Sequence, residues 1–195
     1  MAERGTWQRI ARRIRVPAGF VFAAVFLWLA RPTPTSLLLS LLLVAPGLWL
    51  RGYAAGYVRK NAELTTTGPY GHTRNPLYLG SMLIAFGFGA ASGSWWLVGS
   101  LAALFLAIYL PTIQGEEAYL REHFSGFDAY AARVPRLLPR LRRAPPDSGG
   151  GAFSRALYLH HREYNALMGA GAIYAALALK LLMERHAFLN RLARP

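Results

Sequence analysis

Ser36–Tyr57 reads SLLLSLLLVAPGLWLRGYAAGY, a run with one charge, Arg51, near its end. A helix that crosses a bilayer needs roughly 20 apolar residues, and this stretch meets that length. Four more apolar runs flank it: Pro17–Ala30, Leu77–Ala91, Trp95–Ile113 and Tyr164–Met183. Arg31-Pro32-Thr33-Pro34-Thr35 separates the first two as a turn, because proline blocks helix continuation and restricts its predecessor. Ser92-Gly93-Ser94 turns the chain again. The expected fold is all-α: one domain over 1–195, an integral membrane helical bundle of about five transmembrane helices. A small cytosolic lobe should run from Gln114 to Glu163.

Composition agrees. Hydrophobic residues make up 54% and charged residues 16%, against about 25% charged in an average soluble domain. The net charge is +13, from 22 Lys and Arg and 9 Asp and Glu. Such a balance suits either nucleic acid or the cytosolic flank of a membrane protein. The arginines lie beside apolar runs, and no soluble domain is left over for nucleic acid. With the N-terminus inside, Arg51–Pro76 and Gln114–Glu163 share the cytosolic side. Arg185, Arg191 and Arg194 then fall outside, against the positive-inside rule. The N-terminal arginines before Val16 resemble a signal peptide, but no convincing cleavage site follows, so an uncleaved first helix is expected. The basic run Arg136–Pro146 is expected to face lipid, with Asp147–Gly151 as a linker.

The sequence contains no cysteine. Disulfides, thiolate-held metals and thiol catalysis are therefore excluded. The histidines show no metal-ligand spacing. His72 is a possible base or an interfacial histidine; His123, His160, His161 and His186 read as surface residues. Gly87, Gly89, Gly169 and Gly171 are small residues of the kind that let membrane helices approach closely.

Two polar clusters border the apolar runs. The first is Leu64-Thr65-Thr66-Thr67-Gly68-Pro69-Tyr70-Gly71-His72-Thr73-Arg74-Asn75-Pro76-Leu77-Tyr78-Leu79-Gly80. Gly68-Pro69 bends the chain, and Asn75-Pro76 has the form of an N-cap followed by proline at the first helical position. The free N–H groups of such a helix start suit an electron-rich ligand group, and Tyr70 and Tyr78 could stack on a purine. A capped membrane helix with interfacial tyrosines explains the same residues. The second cluster, Glu116-Glu117, ends the fourth apolar run. Two carboxylates there are costly unless they face water or a cation, which could be a ligand, Arg121 or Arg74.

Together these elements form Gly-Pro-Tyr-x-x-x-Arg-Asn-Pro-x-Tyr-x-Gly, then Glu-Glu-x-x-Leu, then Tyr-x-x-x-Val-Pro-Arg. The series resembles the isoprenylcysteine carboxyl methyltransferase family, and membrane phospholipid methyltransferases share much of it. The resemblance covers about Gly52 to Pro139. It implies S-adenosylmethionine as cofactor, held by elements over 62–80 and 112–139, with a helix over 153–190 as an addition. By the same resemblance Leu64, Thr65, Tyr70, Asn75, Pro76, Tyr78 and Glu116 bind the cofactor. Arg74 and Glu117 are the implied catalytic pair, and no metal is implied. The implied partners are membrane lipid and a lipophilic acceptor: an isoprenylcysteine-like carboxylate, a phospholipid amine or another small membrane molecule. Two departures stand out. Asn75 occupies a position that is usually His, and Thr112 replaces an Arg that reaches the substrate carboxylate in prenylcysteine enzymes. Two other readings are a sterol-reductase-like enzyme using NADPH and a non-catalytic interaction module.

Overall fold

A computed structural model describes residues 21–59, 62–145 and 151–192. Helix α1 is described over 21–29; the expected start of the first run at Pro17 lies outside the described residues. The further elements are α2 (Pro34–Ala55), a 3-10 turn (Gly68–Gly71), α3 (Pro76–Ala91), α4 (Trp95–His123), α5 (Phe127–Arg133), α6 (Arg155–His160) and α7 (Tyr164–Leu192). The described residues contain no strand, and the fold is a helical membrane bundle. Three helices, α2, α4 and α7, are long and apolar enough to cross a bilayer. At 16 residues, α3 rises about 24 Å, short of a hydrocarbon core of about 30 Å.

Several boundaries move. Pro34 opens α2 instead of lying within a turn that ends at Thr35, because Thr33 caps the helix: its hydroxyl accepts from Ser36 N at 3.0 Å, and Ser36 Oγ accepts from Thr33 N at 2.9 Å. This reciprocal box satisfies two orphan donors, and proline at the first position costs no hydrogen bond. Helix α4 continues past Ile113 to His123, so Glu116 and Glu117 sit within it and do not end it. The Gln114–Glu163 lobe accordingly begins after α4. Helix α7 likewise runs past Met183 to Leu192.

Helices α2 and α3 make the tightest contact in the bundle. A Cβ on Gly47 would lie 2.8 Å from Gly80 O, and one on Gly80 would lie 2.8 Å from Gly47 O. Gly87 meets Val44 and the Ser40 carbonyl in the same way. Backbones approach this closely only where there is no side chain, the usual device of membrane helix pairs. Gly89 does the same against Val98 of α4. Gly169 and Gly171 do not: nothing lies within 4 Å of a Cβ on either. Ala170, between them, is the residue turned into the core, and successive helical residues point about 100° apart.

Helix α7 packs antiparallel on α2. Glu163, just before it, pairs with Arg51 at 2.9 Å. Tyr174 shares a 2.7 Å hydrogen bond with Ser40. Lys180 Nζ donates to the Leu27 and Trp28 carbonyls at 2.8 Å each. The first two contacts step along α2 toward its start and the third reaches the end of α1 just before it, so α7 runs alongside α2 to the 31–33 turn. Arg185 and Arg191 therefore lie at the end opposite the 64–80 turn. The apolar core between the helices includes Phe26, Val44, Phe88, Leu97 and Leu177. A second core, Phe127, Tyr130, Val134 and Ala144 with Leu64 and Leu120 beside it, forms a lobe at the other end of α4.

Gly47→Val should force α2 from α3 and cost about 1–3 kcal/mol, the usual range for overpacking. Thermal unfolding in detergent, followed by tryptophan fluorescence, should show a lowered midpoint.

Candidate functional site

The polar residues gather where α2 ends and α3 begins. Gly68 has φ of +59°, a conformation open to glycine, and a Cβ there would meet the Tyr57 ring at 2.7 Å. The turn it starts buries Tyr70, whose carbonyl accepts from Tyr130 Oη at 2.8 Å. Burial chiefly, then Tyr130, Glu116, Glu163 and Tyr78 nearby, raises the Tyr70 phenol above its ordinary range. It stays protonated at any working pH.

The segment after α5 lies across this turn. Arg74 N donates to Pro135 O, Arg140 N to His72 O and Ala144 N to Gly71 O, each at 2.9 Å. Thr73 Oγ1 adds bonds to the Arg136 and Leu137 carbonyls. The basic run expected to face lipid thus has its backbone pinned to the site turn, and its exposed side chains alone remain for the surroundings.

Glu117 sits at the centre, 4% exposed. Arg74 Nε donates to its Oε1 at 3.0 Å, and Arg136 Nη2 lies 2.8 Å from Oε2. Arg74 Nη1 also donates to Ala131 O at 2.7 Å and Val134 O at 2.9 Å, closing the last turn of α5. Asn75 occupies the N-cap position of α3, but its side chain makes no cap bond. Its amide donates to Arg136 O at 2.9 Å and toward Glu117 Oε1 at 3.4 Å. The side chain expected to cap α3 is thus turned across the site by its amide donor, and its oxygen accepts no cap bond from the helix start.

Glu116 points the other way. It is exposed and accepts from Tyr78 Oη at 2.7 Å. Tyr78 meets the Tyr109 ring edge-on at 5.4 Å. Adjacent positions on one helix turn thus separate the two acids, one clamped and one open. Arg121 takes no part; it pairs with Asp128 at 2.7 Å. The structure therefore brings together Tyr70, Arg74, Asn75, Tyr78, Glu116 and Glu117, with Pro76 buried as the first residue of α3. Leu64 and Thr65 stand to one side. They line a groove of about 480 Å³ with Tyr57, Thr67, His123 and Gly126. That volume falls within the range of small-molecule sites.

Two groups escaped the sequence reading. Arg136 was read only as part of a family pattern and a lipid-facing run, yet it completes the cage around Glu117. Arg51 reaches Glu163, Ser81 and the Leu77 carbonyl, tying α2 to α3 and to the start of α7. Its signal was a lone charge at the end of an apolar run, with no indication of the partner 112 residues away. His72 Nδ1 lies 2.9 Å from Arg140 O, which fixes its ring against the strap.

These features define a helical membrane protein with an acid–arginine–tyrosine cluster where its helices open. Residues 35–126 match the family model described as phospholipid methyltransferase, in agreement with the resemblance drawn from the motifs. The matched stretch takes in α2, the site turn, α3 and α4. The chain is 37% identical to the nickel-cobalt-cadmium resistance protein NccN of Alcaligenes xylosoxydans xylosoxydans over 115 residues, 58% of this chain and 53% of that protein. It is 39% identical to the cobalt-zinc-cadmium resistance protein CzcN of Cupriavidus metallidurans over 94 residues, 48% of this chain and 43% of that protein. The chain spans about half the length of these curated relatives. No solved structure matches it.

Glu117→Gln should destabilise the protein by about 3 kcal/mol. Breaking a buried pair costs about 3–5 kcal/mol, and the lower end applies because the Arg136 side chain is 46% exposed. Tyr78→Phe, which removes one exposed hydrogen bond, should cost less than about 1 kcal/mol. Parallel thermal melts in detergent check both.

Proposed function

We propose that this protein transfers a methyl group from S-adenosylmethionine to a lipophilic acceptor at the cytosolic membrane face. The observation that carries the reading is the pairing of an open carboxylate, Glu116, with Tyr78 Oη at the mouth of apolar helices, within the stretch matching the methyltransferase model. The residues fit such a cofactor. Glu116 offers a carboxylate for an ammonium or a ribose. Tyr78, Tyr70, Asn75 and Pro76 form the wall beside it, and Leu64 and Thr65 line the neighbouring groove.

The cofactor, when bound, supplies an activated methyl group. The chain orients the two reactants and limits water. Arg74 and Glu117 act as positioning residues. Both are spent on each other, on Arg136 and on the α5 carbonyls, so they hold the wall and leave reaction to the groups facing the opening. The acceptor is a lipophilic membrane molecule, a phospholipid amine being one case in keeping with the description of the matching family model. Thr112 supplies no cation for a prenylcysteine carboxylate. The reductase reading requires reduced nicotinamide dinucleotide in place of S-adenosylmethionine.

The relatives' names point to resistance to nickel, cobalt, cadmium and zinc. We propose methyl transfer as the activity through which a link to metal tolerance would act in this chain. A host deleted for this gene should lose tolerance to cobalt or cadmium, and Glu116→Ala should fail to restore it. Restoration by Glu116→Ala to the wild-type level would separate tolerance from the site.

Calorimetric titration of S-adenosylhomocysteine into detergent-purified protein tests the cofactor directly. Saturable binding is expected. Glu116→Ala and Tyr78→Ala should each weaken it about 10- to 100-fold, the worth of a hydrogen bond to a charged group. Absence of binding to folded protein, with binding of reduced nicotinamide dinucleotide, would overturn the assignment in favour of a reductase.

A further inference from the structure

The segment after α5 carries, beyond Arg136, a surface that the methyl-transfer reading does not use. Arg136–Arg143 reads RLLPRLRR, four arginines and three leucines with no acid. Its two ends are fixed. Val134 and Ala144 are buried in the lobe core, and the Pro135, Arg140 and Ala144 backbones bond to the site turn. Between those anchors Leu138 is 75% and Leu141 99% exposed. A leucine held outward on a pinned backbone needs a reason beyond chance, since one turned inward would be favoured by burial.

The position supplies the reason. The segment lies against residues 71–74, directly before Pro76 begins the apolar helix α3. Apolar α3 begins there, and the membrane-length helix α2 ends beside it. Arginines flanking exposed leucines at that point match an anionic lipid surface, with charge on the phosphates and leucine in the acyl boundary. Arg142 and Arg143 follow Leu141 directly, and the Arg142 side chain is exposed.

We propose that the Arg136–Arg143 strap is a binding surface for anionic phospholipid headgroups of the bilayer that the protein spans, with Leu138 and Leu141 inserted beneath them. The occupant is lipid, in preference to a protein partner or a second copy, because the surface combines the charges of Arg140, Arg142 and Arg143 with exposed leucines beside the start of an apolar helix, Arg136 being held by Glu117. The claim does not depend on the methyltransferase assignment.

The lack of any cysteine permits a clean test. Leu141→Cys, labelled with an environment-sensitive fluorophore, is reconstituted into phosphatidylcholine vesicles with or without phosphatidylglycerol. Anionic vesicles should shift the emission to the blue and expose the probe to quenching by spin-labelled lipid; raised salt should reverse part of the shift. Each arginine near an anionic surface is worth about fivefold in partitioning. Adding Arg142→Gln and Arg143→Gln should therefore weaken the anionic-lipid response about 25-fold. Water-like emission in both vesicle types would overturn the proposal. So would a blue shift in lipid-free detergent that grows with protein concentration, which would mark a contact between copies.

Discussion

One carboxylate organises this end of the molecule. Glu117 is nearly sealed from solvent and is held by Arg74 and Arg136. Those two arginines come from opposite sides of the site, one from the turn before α3 and one from the strap after α5. The same Arg74 closes the last turn of α5. Removing the charge would leave two cations facing each other and two carbonyls weakly served. The turn, the strap and α4 therefore keep their arrangement through a single acid, and Glu116 is left facing outward because its neighbour is turned in.

The glycine contact between α2 and α3 does for the membrane part what Glu117 does for the lobe. With Gly47 and Gly80 backbone to backbone, the two helices act as one rigid post. Arg51 reinforces it by reaching Ser81 and Leu77 on α3 and Glu163 ahead of α7. The site turn links the ends of α2 and α3, so the post fixes the spacing of its two ends. Helix α4 meets α3 through smaller contacts such as Gly89 on Val98 and Tyr109 on Tyr78, which leaves this seam the softer one.

Much of this was legible in the amino-acid order. The apolar runs marked the helices, since lipid demands long stretches without charge. The motif from Gly68 to Gly80 and the acidic pair held most of the residues that the structure gathers in the candidate site. What escaped was set by geometry at long range. Nothing local shows that Asn75 gives up its capping bond for Arg136 O, or that Arg51 pairs with Glu163. The end of α4 was misplaced because Gln114 and the acids looked like the end of a span, whereas a helix leaving the membrane continues in water as long as its propensities allow. Gly169 and Gly171 looked like contact points. Their spacing could not say which face α7 turns to α2, and Ala170 holds that face.

The partners of Glu117 and of the half-buried Glu163 leave the ribosome at very different times. Arg74 precedes Glu117, so the acid emerges with one counter-ion already made, and Arg136 follows 19 positions later. Arg51 has no such company: its acid comes 112 positions afterwards, once α3, α4 and the lobe have been synthesised. During biosynthesis the guanidinium at the end of α2 must wait for its counter-ion until Glu163 arrives. Docking of α7 thus brings that charge its partner, and a chain halted before it would display an unmatched positive charge beside its site.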